Sequence, residues 1–253
     1  MSKVIAIAGK GGVGKTTLAG LLIARLIKRG RTPVLAVDAD PNTCLDAVLG
    51  VKVEKTVGGV REEARQIAGQ GMAAGTSKQQ LLEMKIAESL VEAPDFDLIA
   101  MGRPEGPGCY CYANNVLKTA MAQIADSYPY VVLDNEAGLE NLSRRLVQKV
   151  DLMIMVADPS RRGIETLRRL VDLAREMEID YGKLGLIVNR LRREALPEEA
   201  ETLREETQAD FLLGLPDDAA LADFGEDGKR LQDLPDDNPV VQRIDRLLTA
   251  IDL

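Results

Sequence analysis

Apolar residues in this chain fall into short unbroken runs, separated by longer stretches in which they recur every three or four positions. The runs are Val4–Ala8, Pro33–Asp38, Asp97–Met101, Tyr130–Asp134, Leu152–Ala157, Leu184–Val188 and Phe211–Leu215, each rich in Val, Ile and Leu and apolar on both faces. Strands covered on both sides read this way. Between them, Thr16–Lys28 places Leu18, Leu22 and Leu26 on one stripe, and Lys78–Val91 carries Leu81, Leu82, Lys85, Ile86 and Leu90. Ile164–Met177 carries Leu167, Leu170, Val171 and Ala174, and Asn238–Ile251 carries Val240, Val241, Ile244, Leu247, Leu248 and Ile251. These spacings predict helices. Strand alternating with helix predicts an α/β fold, a mostly parallel central sheet with helices on both faces, as a single domain over residues 1–253. From Thr56 to Ser77 the pattern weakens. Glycines at 58, 59, 69, 71 and 75 are expected to break any long helix there, so residues 56–77 read as a glycine-rich surface insertion. Arg103–Gly108 (RPEGPG) reads as a loop, with a helix expected to begin near Ala113.

Composition narrows the function classes. With 32 basic and 40 acidic side chains, the 253-residue chain carries a formal charge of −8, which argues against a general nucleic-acid binder. No apolar run approaches the roughly 20 residues of a membrane span, and the chain opens on a buried-strand pattern, not a secretory leader. Three cysteines are too few for a disulfide-stapled scaffold and fit a reducing compartment, so a cytoplasmic protein is expected. Histidine is absent, which removes imidazole as base, nucleophile or ligand; a metal site must use Cys, Asp or Glu.

The densest chemistry lies where the first strand meets the first helix. Gly9–Thr16 reads GKGGVGKT and matches G-x-x-x-x-G-K-[ST] between a buried strand and a helix. Glycines let such a loop curl so that successive N–H groups face phosphate oxygens, and the helix N-terminus adds its dipole. Gly11, Gly12, Val13, Gly14 and Thr17 complete the cradle, Lys15 is expected to reach the β- and γ-phosphates, and Thr16 to place its hydroxyl on Mg²⁺. The second strand ends in Asp38-Ala39-Asp40, two carboxylates on one face beside that loop. Asp38 is assigned to the outer shell of Mg²⁺; the alternative is a strand end that caps the next helix. Val131-Val132-Leu133-Asp134, with Gly138 four residues on, fits a Walker B-like element that reaches Mg²⁺ through water. The N-K-x-D tetrad that reads guanine is missing, which favours ATP.

Cys109-Tyr110-Cys111 follows the Pro/Gly loop. Residues i and i+2 of an extended segment share a face, so two thiolates can grip a soft metal. Two are too few for tetrahedral Zn²⁺ or a four-iron cluster, and a twofold dimer is the simple way to double them. Nickel(II) and copper(I) are also admitted. The plain alternative is a pair of small buried residues, and Cys44 is read in that way.

Lys10–Thr17, KGGVGKTT, resembles the deviant Walker A ATPases, the group of the nitrogenase iron protein, MinD and ParA. The resemblance implies that Lys10 reaches across a dimer to the partner's nucleotide, that Asp40 orients the attacking water, and that Asp134 begins a second switch. In that switch Asn135 and Glu136 replace the small or Pro residues common in relatives. It also implies adenine recognition by Asn189, next to Arg190, with the Pro216-Asp217 loop on the other side of the base. Gly108-Cys109-Tyr110-Cys111 and Asp40-Pro41-Asn42-Thr43-Cys44-Leu45 resemble the CooC-type nickel-insertion ATPases most closely. That branch implies a homodimer on nucleotide or metal binding, ATP or ADP with Mg²⁺, and Ni²⁺ (or Zn²⁺ in purified protein) shared by Cys109 and Cys111 of two chains. The implied recipient is a nickel–iron–sulfur enzyme such as carbon monoxide dehydrogenase or acetyl-CoA synthase, with no nucleic-acid or membrane partner. The rivals are an iron–sulfur cluster carrier and a ParA- or MinD-like ATPase. Arg161-Arg162 and Arg168-Arg169 are the basic patch a ParA would use, whereas the C-terminal helix balances Arg243 and Arg246 with Asp245 and Asp252.

Overall fold

The computed structural model describes residues 2–70, 77–102, 121, 124–139 and 149–253. Its strands are β1 Lys3–Gly9, β2 Val34–Asp38, β3 Val91–Glu92, β4 Phe96–Ala100, β5 Tyr130–Asp134, β6 Val150–Ala157, β7 Tyr181–Leu191 and β8 Phe211–Pro216. They form one eight-stranded sheet in the order β3-β4-β2-β5-β1-β6-β7-β8. Neighbours are parallel, except that the short edge strand β3 runs antiparallel to β4. The chain builds β2, β3, β4 and β5 on one side of β1, then β6, β7 and β8 on the other. Ligands of such sheets settle outside the carboxyl ends of the strands where the order reverses.

Helices are α1 Lys15–Lys28, α2 Leu45–Leu49, α3 Val57–Gln70, α4 Lys78–Ala87, α5 Arg161–Glu176, α6 Glu198–Thr207, α7 Ala219–Glu226 and α8 Pro239–Ala250. They cover both faces. On one, Leu18, Leu22 and Leu26 of α1, Leu45 and Leu49 of α2, and Ile244 and Leu248 of α8 pack on Ile5, Ile7, Ala36 and Val132. On the other, α3, α4, α5 and α6 pack on Ala6, Val37, Leu133 and Met153. The apolar stripe expected of α1 is in fact a nearly complete jacket, since Leu21, Ile23 and Ala19 are buried as well. A Cβ added at Gly20 would lie 2.9 Å from Leu231, so α2 and the 3₁₀ turn Leu231–Asp233 close over the helix. Each such large side chain contributes about 1.5–3 kcal/mol by leaving water. Arg25 then ties α1 to α8 through a two-pronged contact with Asp245, at 2.9 and 2.7 Å.

Up to Gln70 the glycine-rich stretch corrects the sequence reading; Gly71 and Gly75 lie outside the described residues. Residues expected to break a long helix form the 14-residue α3. Gly58 and Gly59 fall in its first turn, where the Gly59 N–H donates to the Thr56 hydroxyl (3.2 Å), and Gly69 falls in its last. Glycine costs about 1 kcal/mol in a helix interior and less at the ends. Val57, Val60 and Ala64, one helical face between the glycines, are buried in the core. The next helix starts at Lys78, as expected, at a reciprocal cap in which Ser77 and Gln80 each accept from the other's backbone N–H. It stops at Ala87, short of the expected Val91, where the chain enters β3. Among the described residues, no helix is long and apolar enough to cross a membrane.

Candidate functional site

Residues 9–16 leave β1 and turn into α1. Gly12 (φ 79°) and Gly14 (φ 93°) occupy left-handed conformations, and a Cβ at Gly14 would fall 2.5 Å from the Asn189 amide nitrogen, so glycine is required there. Val13 is buried beneath the loop, while Lys10, Gly11 and Gly12 are exposed to an incoming ligand. Gly14 O accepts from the Leu18 N–H (3.0 Å), which opens the helix with Lys15, Thr16 and Thr17 in its first turn. Lys15 is 8% exposed and its ammonium donates back to Lys10 O at 3.2 Å. Burial lowers its pKa, against the opposing charges of Asp134, Asp40 and Glu136.

Asp38 and Asp134 face each other across the β2–β5 pairing, on the α1 side of the sheet. Both are buried, at 0% and 1% exposure. Asp38 accepts the N–H groups of Asp40 (3.0 Å), Cys44 (2.8 Å) and Leu45 (2.9 Å). Burial raises its pKa, and those three bonds restrain the rise. Its carboxylate holds the loop after β2 in shape, the capping alternative raised by the sequence; bonds to Mg²⁺-bound water would have to use its remaining lone pairs. Asp134 is the opposite case: neither oxygen has a hydrogen-bond partner of full geometry among the described residues. Burial pushes its pKa up to about 7; Thr16 and Lys15 work against the shift, and Asp38 and Asp40 add to it. A bare buried carboxylate beside a threonine hydroxyl is a hard-oxygen donor set, and these residues fit Mg²⁺ and its waters. Asp40, half-buried, accepts from the N–H (2.8 Å) and side-chain amide (2.9 Å) of Asn42, which shapes the loop around it. The loops after β2 and β5 are also joined directly, because the Ala39 N–H donates to Asp134 O at 2.9 Å.

Asn189, expected at the adenine edge, is engaged with the phosphate loop. Its amide donates to Val13 O (2.8 Å) and its oxygen accepts the Arg190 N–H (2.9 Å). It is therefore a strut between β7 and the loop, a role that spacing alone does not reveal because the two lie 176 positions apart. Arg190 is exposed, and Pro216 ends β8. The Asp217 N–H donates to Leu191 O (2.8 Å), and its carboxylate pairs with Arg192 at 3.6 Å. A recess of about 750 Å³ opens here, lined by Asp158, Ser160, Arg190, Arg192, Arg193 and Asp217 among others. Lys10 borders it. Against the cost of burial, Ser160 and then Lys10 hold the Asp158 carboxyl below the usual range.

Cys109 and Cys111 lie outside the described residues, as do the loop and the helix start expected around them. Cys44, expected to be buried, is exposed. Its N–H turns inward to Asp38 in a partly buried bond, while the residue is exposed. Partial desolvation and the surrounding Asp38, Asp40, Asp46 and Asp134 push its thiol pKa up, which makes it a poor thiolate. Among the described residues, no group of three or more Cys, Asp or Glu is placed to hold a metal by itself.

A glycine-cradled loop, a lysine and threonine at a helix start, and a bare carboxylate on the adjacent strand define a P-loop nucleoside triphosphatase. The chain belongs to the CobQ/CobB/MinD/ParA nucleotide-binding domain family (CbiA), whose model matches residues 4–231. It is 41% identical over 249 residues to an uncharacterized ATP-binding protein of Methanocaldococcus jannaschii, across 98% of each chain. It is 30% identical over 243 residues to the carbon monoxide dehydrogenase accessory protein CooC of Rhodospirillum rubrum, across 91% of this chain and 89% of that one. Among solved structures, the MinD cell division protein of Aquifex aeolicus matches with a TM-score of 0.68 at 25% identity, across 98% of this chain and 97% of that one. The family binds ATP, and the α/β fold expected from the sequence is the one observed.

Proposed function

We propose that this ATPase is a metal-delivery protein, one that pairs as a homodimer around ATP and hands Ni²⁺ to a nickel–iron–sulfur enzyme of the carbon monoxide dehydrogenase type. The observation that carries this reading is the near full-length similarity to CooC in a chain that also bears Cys109-x-Cys111. The nucleotide would lie on residues 11–17, with Lys15 released from Lys10 O to the phosphates. Thr16 and Asp134, with Asp38 behind them, would hold Mg²⁺, whose charge offsets the phosphate oxygens. Asp40 would orient water, and exposed Lys10 would complete the partner's site. Asn189 keeps the loop and β7 in register, with Arg190, Pro216 and Asp217 at the base end. Closing the dimer would bring two Cys109/Cys111 pairs to one axis, and hydrolysis would loosen it. Nucleotide and metal that favour the same closed state must each tighten the other.

The test is metal content per chain after anaerobic purification and Ni²⁺ loading, with and without ATP or ADP, read beside molar mass. Half a nickel per chain on a dimer, lost in a Cys109→Ser, Cys111→Ser protein that still binds ATP, is expected. Iron with acid-labile sulfide would instead indicate a cluster carrier, and no metal in any state would sink the proposal. A MinD/ParA-like reading is favoured by the whole-chain match to Aquifex MinD and by Arg161 and Arg162, which are exposed at the start of α5. ATP-dependent binding to anionic vesicles or to DNA would support it.

A further inference from the structure

The recess of about 750 Å³ lies between the residues that lead into α5 and those that lead into α6, helices that cover the sheet face opposite α1. An irregularity in β7 places an arginine on its rim. Val188 pairs with Gly214 and Leu191 with Pro216, so β7 holds one residue more than β8 over this stretch. Val188 and Leu191, three positions apart, therefore both enter the core beneath α5 and α6. The surplus falls on Asn189 and Arg190. Asn189 turns to the phosphate loop, whereas Arg190, left-handed at φ 59°, is exposed in the recess with its N–H held by the Asn189 side chain. Bulges re-aim side chains in this way, and the burial of Leu191 and the bond to Asn189 maintain a strained arginine at the surface.

Arg192 and Arg193 follow on the same rim, both exposed. Arg190 and Arg193 make no ion pair among the described residues, and Arg192 makes one loose contact, 3.6 Å to Asp217, with its side chain 87% exposed. By contrast, Arg25, Arg168 and Arg230 are each matched with carboxylates. In a chain of net charge −8, such a rim is a local cationic surface. Arg161 and Arg162, exposed in the first turn of α5, extend it past Ser160. The wall behind the arginines is apolar: Pro159, Ala195 and the half-buried Leu196. Three carboxylates also line the recess, Asp158, Glu199 and Asp217. Asp158 is taken by the Ser160 N–H (2.9 Å) and Asp217 by Arg192. A nucleic-acid backbone would be repelled by those carboxylates and would leave the apolar wall in water. We propose that this recess docks an acidic segment of a partner protein that also carries a leucine-like side chain. The segment's carboxylates go to the arginines in two-pronged contacts, and its apolar side chain goes to the wall of Pro159 and Leu196. The volume suits a short stretch of chain, more than one small ion. Arg190 and Asp217 are also assigned to the base end of the nucleotide, so the test turns on Arg192 and Arg193.

The experiment is fluorescence anisotropy of the full chain with a short labelled peptide in which Leu stands among Asp and Glu. Wild type should bind it. An Arg192→Glu, Arg193→Glu protein should bind it about tenfold more weakly, with ADP affinity and melting temperature nearly unchanged. The same variant should gain affinity for a peptide with Lys in place of the acids. Replacing Leu by Ser in the acidic peptide should weaken its binding to wild type about tenfold. No binding by wild type, or binding that the double variant retains, overturns the proposal. Binding that survives the loss of Leu overturns it too, because a plain cationic patch would do as much. A duplex DNA oligomer that wild type prefers to the peptide, and that the double variant no longer binds, makes nucleic acid the occupant and also overturns it. If the double variant does not fold, Arg193→Gln, which removes one charge from an exposed side chain, should weaken the acidic peptide about threefold; an unchanged affinity overturns the proposal. Bound nickel does not enter these measurements, so their outcome stands apart from that of the metal-loading test.

Discussion

Asp38 and Asp134 are neighbours on adjacent strands, in register, on the same face and equally hidden from water, yet they live differently. Asp38 is ringed by three backbone N–H groups. Asp134 has none among the described residues, and burial holds its pKa near 7. Burial alone therefore says nothing about role. A satisfied carboxylate stabilises the fold, whereas a bare one is held ready for something that arrives later. The same test separates Lys15, turned back onto its own loop, from Arg25, which is fully occupied in joining two helices.

The sharpest way to break the comparison is to neutralise each partner in turn. Asp134→Asn should lower ATP turnover by about 10²–10³-fold, because a divalent ion loses its charged partner, while thermal stability in metal-free buffer holds or rises. A fall in melting temperature without loss of turnover would reverse the assignment. The second effect is in pH. An acid raised from 3.8 to about 7 on folding is protonated in the native state and ionised in the unfolded one between those values, so stability is lost as pH rises through them. From pH 5 to pH 8, metal-free wild type should lose about 3 kcal/mol in denaturant melts, and Asp134→Asn should lose much less. The raised Asp38 adds to the slope with the same sign and is unaltered in that variant. Third, Asp38→Ala should cost about 2–3 kcal/mol of stability, since three N–H groups, one buried and two partly buried, lose their acceptor, and should loosen nucleotide binding as the loop they shape loses its form. The smallest effect belongs to Asn189→Ala. Removing the strut should cost about 1 kcal/mol and weaken ATP and ADP alike; a selective loss for adenine over guanine nucleotides would return Asn189 to base reading.

What the sequence made legible was local. The phosphate loop could be read because its chemistry is contained in residues 9–16, where turn geometry demands glycine and the helix that follows demands nothing unusual. Strand centres were legible for the same reason, but β7 runs to Tyr181 and Leu191, beyond the expected Leu184–Val188, because Tyr181, Lys183 and Leu191 extend the pairing through backbone, and Gly182, Lys183, Asn189 and Arg190 between them carry no apolar signature. The helix α6 escaped notice: Glu198, Glu199 and Glu201 crowd its first turn, and Ala200 and Leu203 alone point a small apolar face inward with Thr207. In α3, local glycine propensity pointed one way and the burial of Val57, Val60 and Ala64 the other, and burial prevailed. The choice between the two readings of Asp38, metal shell or cap, could not be made from sequence, since it depends on where the backbone N–H groups of residues 40, 44 and 45 come to rest.

The bond from the Ala39 N–H to Asp134 O has a kinetic consequence. It makes the loops after β2 and β5 parts of one linkage, hinged on adjacent rungs of the sheet, and not two sensors reporting separately. A displacement of either end is transmitted to the other at the speed of a backbone shift. On nucleotide exchange the two loops should relax with a single shared rate constant, and a substitution that slows one should slow both.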